Sequence, residues 1–165
     1  MEYVDLNATL GDLTGVIDPT GYLDRLPELA ASLPPGARAF ATDRDHYDFT
    51  AKRCVKDLKL SHIISEEQRD SGIELRFRHN CWKHDEDLTI RYEGVTGFGI
   101  ELADGSVWQR LGSVILDEVL PHEDGCAHEI AFWEGTLHVV CRDLTATWTE
   151  TDCPDAPGNA AKDGR

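Results

Sequence analysis

From Leu58 onward apolar and polar residues alternate along the chain. Leu58, Leu60, His62 and Ile64 interleave with Lys59, Ser61 and Ile63. Ile73, Leu75 and Phe77 interleave with Glu74, Arg76 and Arg78, and Leu88, Ile90 and Tyr92 with Thr89, Arg91 and Glu93. A period of two is that of a strand with one buried face. Runs at 95–102, 114–120, 127–133, 136–140 and 144–148 continue the pattern. Glycines at 94, 97 and 99 mark a bulge or bend, residues 103–106 a turn, and Glu134-Gly135 a two-residue hairpin connection. Upstream the period is that of a helix. Tyr22, Leu23, Leu26, Leu29, Ala30 and Leu33 form one stripe over 21–33, with Thr20 as candidate cap and Pro34-Pro35-Gly36 as the stop. Pro27 suits this helix only if it starts late. The first 18 residues show no clear period. Residues 37–42 read as a short strand, 43–47 as a polar turn and 65–72 as a charged loop. Residues 151–165, rich in Pro, Gly and charge, read as a disordered tail.

These elements define a mainly β, α+β chain: one domain over 1–150, with about eight short strands and one N-terminal helix. Strands and helices do not alternate, so the sheet is expected to be antiparallel, folded on itself or barrel-like. Leu58, Leu60, Ile73, Leu75, Phe77, Leu88, Ile90, Tyr92, Ile130, Phe132, Leu137 and Val139 form the expected core. An internal echo runs through the pattern. DLTIRYEGVTGFGIEL and TLHVVCRDLTATWTET share a strand–charge–strand layout, and IELRFRHN and AHEIAFWE precede them in corresponding positions.

Charge narrows the partners. The net charge is −15, which leaves no surplus of Lys and Arg to neutralise phosphates and disfavours both nucleic acid and an anionic membrane surface. From residue 101 to the end there are 13 Asp and Glu against 4 Lys and Arg, whereas 54–100 is near balance at 9 against 7. A one-signed surface of this kind steers a basic protein partner. No apolar run approaches the ~18 residues of a membrane span, and the start lacks a signal-peptide pattern. Cys54, Cys81, Cys126, Cys141 and Cys153 match no disulfide framework, so they are expected to be reduced, in a cytoplasmic protein.

Three groups of residues could carry chemistry. His79, Cys81 and His84, with Asp85 beside them, have donor types that suit zinc, and His79 and Cys81 share a strand face. His122, Cys126 and His128 form a second set around a tight loop, and the two could meet across the sheet. The alternative for each is a buried thiol and hydrogen-bonded core histidines. The third group is acidic: Asp117, Glu118, Glu123, Asp124 and Glu129. Adjacent carboxylates on a strand point to opposite faces, so this set reads as a solvated acidic surface for a partner, with Trp133 as an aromatic anchor. No nucleophile elbow or phosphate loop is present.

The layout VKDLKLSHI, IELRFR, DLTIRYEGVTGFGI, VILDEVL and HEIAFWEGTLHVVCRDL, spanning about 55–148, resembles small bacterial β-rich proteins grouped with immunity proteins of polymorphic toxin systems. Many of those begin the first core strand with His-Asp; here Val55-Lys56-Asp57-Leu58 keeps only the Asp. The resemblance implies a non-enzymatic acidic binder; together with the charge, the reading is a protein-binding module, immunity-like or regulatory, that sequesters a basic partner without a cofactor. The alternative is a metal-dependent enzyme with zinc at residues 79–84 and 122–128.

Overall fold

The computed structural model describes residues 1–66, 71–105 and 107–153. The chain opens with a hairpin, β1 (Asp5–Leu10) and β2 (Leu13–Asp18), turning at Gly11 with φ +61°. Two helices follow, α1 (Thr20–Ala30) and α2 (Pro35–Ala41). Eight further strands come next: β3 (Lys59–Glu66), β4 (Gly72–Arg78), β5 (Glu86–Glu93), β6 (Gly97–Leu102), β7 (Val114–His122), β8 (Gly125–Phe132), β9 (Gly135–Cys141) and β10 (Asp143–Glu150).

Those eight form two antiparallel four-stranded sheets, ordered β10-β5-β4-β3 and β6-β9-β8-β7. The orders are the same topology written twice. In each half three consecutive strands form a meander, and the next strand crosses to the edge of the other sheet. The crossings touch: Arg142 N–H donates to the carbonyls of Glu93 at 2.9 Å and Gly94 at 3.2 Å. Gly94 has φ +60°, and a Cβ there would press on Arg142 at 3.0 Å. The sequence echo aligns β4, β5 and β6 with β8, β9 and β10, which is the duplication the two sheets display.

The mainly β, antiparallel reading holds, and the two sheets do not close into a barrel. Apolar faces of both sheets meet in one cluster that also takes Tyr22, Leu26, Leu33, Ala37 and Phe40 from the helical segment. Of the expected core, Leu60 and Ile73 are half-buried against this cluster and the others are buried.

Other expectations need correction. Residues 37–42 are not a strand, since α2 occupies them, started by Pro35 at the first helical position. The helix expected over 21–33 ends at Ala30. It begins at Thr20, which does not cap it; Asp18 Oδ1 instead accepts the Thr20 N–H at 2.9 Å. Pro27 lies inside the helix. The start read as aperiodic is the β1–β2 hairpin; β1 alternates, with Leu6 and Ala8 half-buried between exposed Asp5, Asn7 and Thr9, whereas β2 does not. Residues 67–70 of the expected loop and 154–165 of the expected tail lie outside the described residues. No helix among the described residues is long and apolar enough to cross a membrane.

Candidate functional site

The turn between β4 and β5 is built by its own polar side chains. Asn80 O accepts the N–H groups of Lys83 at 2.9 Å and His84 at 2.8 Å. His84 Nδ1 accepts the Asn80 N–H at 3.2 Å, so its Nε2 carries the hydrogen and donates to Cys54 O at 2.9 Å. Burial lowers the pKa of His84, against the raising effect of the Cys54 carbonyl. Both ring nitrogens are committed, so His84 ties the turn to the 51–55 segment and supplies no ligand.

His79 is held differently. Asp87 Oδ1, at the start of β5, accepts both its backbone N–H at 2.8 Å and its Nδ1 at 2.6 Å. A hydrogen on Nδ1 leaves Nε2 with a free lone pair, and Nε2 faces Cys81 Sγ at 3.7 Å. Cys81 is joined to Cys153 by a disulfide, which corrects the expectation that all five cysteines are reduced. Cys54, Cys126 and Cys141 are free and buried. The donor atoms of His79, Cys81 and Cys153 lie within 4.8 Å of one another. They border a concavity of about 690 Å³ that is also lined by His84, Asp85 and 150–152. Asp85 is engaged by Lys52 at 2.6 Å, and Trp82 stands exposed beside the group.

The residues of 122–128 do not join this group. His122 sits in the β7–β8 turn, where its Nδ1 accepts the Asp124 N–H at 3.2 Å. Cys126 and His128 share the buried face of β8, as the strand period requires. Cys126 faces Cys141, its cross-strand partner, with the sulfurs 3.6 Å apart. The neighbouring Cys126 sulfur and burial push the Cys141 thiol up.

His128 belongs to a buried polar chain between the sheets. Asp117 Oδ2 lies 2.9 Å from His128 Nε2, and Asp117 Oδ1 lies 2.7 Å from His46 Nε2. Tyr92 OH, from the other sheet, meets His128 Nδ1 at 2.8 Å, so the hydroxyl donates and Nε2 carries the ring hydrogen. His46 Nδ1 donates to Phe40 O at 2.9 Å, and the ring stacks on Tyr47 and meets Phe40 edge-on. Burial works against the Asp117 charge, but electrostatic attraction to His46 and hydrogen bonds from both histidines prevail and hold its carboxyl well below the usual range.

The expected acidic surface is therefore dispersed. Asp117 and Glu118 do point to opposite faces of β7, but both are buried because the helices and the N-terminal segment cover the strand. Glu118 accepts the backbone N–H groups of Glu2 at 2.7 Å, Tyr3 at 2.7 Å and Val4 at 3.0 Å. Glu129 Oε1 takes the Met1 amine at 2.6 Å. Glu123 is exposed, and Asp124, also exposed, accepts from Thr96 Oγ1 at 2.8 Å. Trp133 is exposed, but it lies at the opposite end of β8 from Glu123 and Asp124, roughly 27 Å away at the rise of a strand.

Cys153, Asp87 and His46 escape sequence reasoning. Cys153 lies in a stretch with no period. Asp87 stands eight positions from His79, across a turn whose register is invisible until the strands pair. His46 lies in a loop without a pattern. Fold and site together define a duplicated, two-sheet antiparallel β protein with a His–Cys–Cys group at one sheet end. Compared with known protein families, curated proteins and solved structures, the chain matches none of them.

Proposed function

We propose that this protein is a non-enzymatic binding module, immunity-like or regulatory, that sequesters a basic protein. The observation that carries the reading is the Trp133 end of the second sheet. Trp133 is 64% exposed, and Val107 is 56% exposed in the segment that packs beneath its turn. The turn is rigid. Trp133 N–H donates to Ser113 O at 3.3 Å, Glu134 N–H to Leu111 O at 3.1 Å, and Glu134 O accepts from Ala103 N–H at 3.0 Å. A large aromatic on a fixed backbone loses little freedom on docking, which is what an interface anchor requires. Glu101 and Glu134, both exposed, flank it, and the net charge of −15 supplies long-range attraction for a basic surface. The buried acids Asp117, Glu118 and Glu74 are all consumed by internal partners, which supports binding through the surface rather than chemistry in the core.

The test uses a partner captured from the host, purified, and followed by association kinetics at two salt concentrations. Trp133→Ala is expected to raise the dissociation rate at least about tenfold, the effect of removing a hot-spot aromatic. Glu101→Lys with Glu134→Lys slows association and flattens its salt dependence. A captured partner whose rates ignore salt and all three substitutions rules the reading out.

The metal-dependent alternative keeps one observation in its favour: His79, Cys81 and Cys153 are donors of the types that select zinc. Residues 122–128 bring no ligand to that group.

A further inference from the structure

We propose that His79, Cys81 and Cys153 form a redox-gated zinc site. It is closed while the Cys81–Cys153 disulfide exists, and it takes one Zn²⁺ through His79 Nε2 and both sulfurs once that bond is reduced. This rests on the zinc reading of the group and is independent of the docking surface.

Three features of the geometry point to a metal. First, the spacing is already that of ligands. Zinc bonds of about 2.3 Å to sulfur and 2.0–2.1 Å to nitrogen, at a tetrahedral angle, place S and N roughly 3.6 Å apart, and Cys81 Sγ and His79 Nε2 are 3.7 Å apart. Second, His79 is oriented as a metal-bound histidine is. Its Nδ1 hydrogen goes to the Asp87 carboxylate, which also takes the His79 backbone N–H, so Nε2 is presented as the lone-pair donor. A core histidine needs a hydrogen-bond partner on both nitrogens, as His84 and His128 have; His79 has sulfur on the second. Third, the ligands come from different parts of the fold. His79 and Cys81 lie on the turn after β4, whereas Cys153 lies beyond β10, three residues past Glu150, where the chain has left the sheet. The sulfurs must part from a covalent bond to roughly 3.8 Å, twice the Zn–S length opened at the tetrahedral angle. That separation requires displacing a non-strand segment rather than a paired one.

The two steps balance. Two equivalents of a low-molecular-weight thiol supply two electrons and two protons. The S–S bond breaks, Cys81 and Cys153 become thiols, and the small thiols leave as their own disulfide. Zinc then forms two Zn–S bonds and one Zn–N bond, the two thiol protons pass to water, and no electron moves. Three protein ligands leave a fourth position, and it opens on the concavity beside His84 and Asp85.

The experiment uses the full chain purified without an affinity tag. One sample is reduced with a non-chelating phosphine and one left oxidised; each is loaded with zinc, desalted anaerobically and analysed for metal. The expected result is about one zinc per reduced chain and under about a tenth per oxidised chain. Cobalt(II) in place of zinc should give thiolate-to-metal absorption in the reduced sample only. Asp87→Asn, with the circular dichroism spectrum unchanged, should weaken zinc binding about 10–100-fold through His79. Cys153→Ser should remove the disulfide and weaken binding further. A reduced chain without zinc overturns the zinc reading itself. Equal zinc in both samples overturns the gate alone. Zinc retained by the Cys81→Ser, Cys153→Ser double variant places the metal on other thiols and overturns the site.

Discussion

Asp117 shows how one residue can look like surface in a sequence and act as core in a structure. It is a strand carboxylate among other acids, yet it lies buried between His46 and His128. Asparagine keeps one acceptor oxygen but turns a donor NH2 toward the other histidine N–H and removes the paired charge, so Asp117→Asn should cost ~3–5 kcal/mol, read as a lower urea midpoint. Asp117 and, in the β4–β5 turn, His84 both have lowered pKa values, and each loses its contribution on acidification. His84 has its folded pKa lowered by burial, so below the unfolded value of about 6.5 the unfolded chain binds a proton that the folded chain resists. Asp117 also has its folded pKa lowered, and its contribution, complete above the unfolded value of about 3.9, is lost as pH falls toward the folded one. Stability should therefore fall in two stages on acidification, first below about pH 6.5 and then below about pH 4. His84→Gln should remove the first stage and leave the second; a midpoint that stays flat between pH 7 and pH 5 contradicts the assignment.

The second helix depends on a neighbouring element more than on its own sequence. Residues 35–41 contain no acid for the first turn and no side-chain cap. Asp143, at the start of β10, supplies both: its carboxylate accepts the N–H of Gly36 at 3.1 Å and of Ala37 at 2.9 Å. Gly36 lets the helix approach that close, because a Cβ there would overlap the Leu144 carbonyl. Asp143→Ala should cost about 1–2 kcal/mol as a lost cap. Gly36→Ala should cost more than that, since α2 must move off β10, although alanine favours helix in isolation. Thermal melts of the two variants check the order. In the first sheet, Phe77 is paired with Leu88 and buried. Phe77→Ala should lower stability by ~3–5 kcal/mol, and an unchanged denaturant midpoint would show the register of β4 to be wrong.

At the scale of the molecule, the duplicated sheets hold each other through the two exchanged strands, β6 and β10. The covalent tie lies at the end of β10. The Cys81–Cys153 bond spans 72 residues, and closing a loop of that size restricts the unfolded chain by up to about 4 kcal/mol. Reduction, or Cys153→Ser in the absence of zinc, should lower the unfolding free energy by about 2–4 kcal/mol, measured in guanidinium. Zinc added to the reduced wild-type chain should restore part of that loss and should restore less in Cys153→Ser. The net charge of −15 acts at the same scale, because its field reaches beyond any single contact.

Local order was legible wherever one face of an element is buried and the other is wet. Period-two alternation placed the eight sheet strands, and Leu75, Phe77, Leu88, Ile90 and Tyr92 as their inward face. It went unread in β1, where the alternation is short and only half-buried, was absent from β2, and misread 37–42, where a cap from 106 residues away selects helix. Composition alone determined the acidity and the absence of phosphate-binding or nucleophile motifs. Only the tertiary structure decided which polar groups meet. It sent Asp117 and Glu118 into the interior, separated Trp133 from Glu123 and Asp124 by the length of β8, and split the six candidate ligands, keeping His79 and Cys81 together and adding Cys153. The reason is physical: pairing between strands and the crossing of β6 and β10 bring distant residues within ångströms, and no periodicity along one strand encodes that distance.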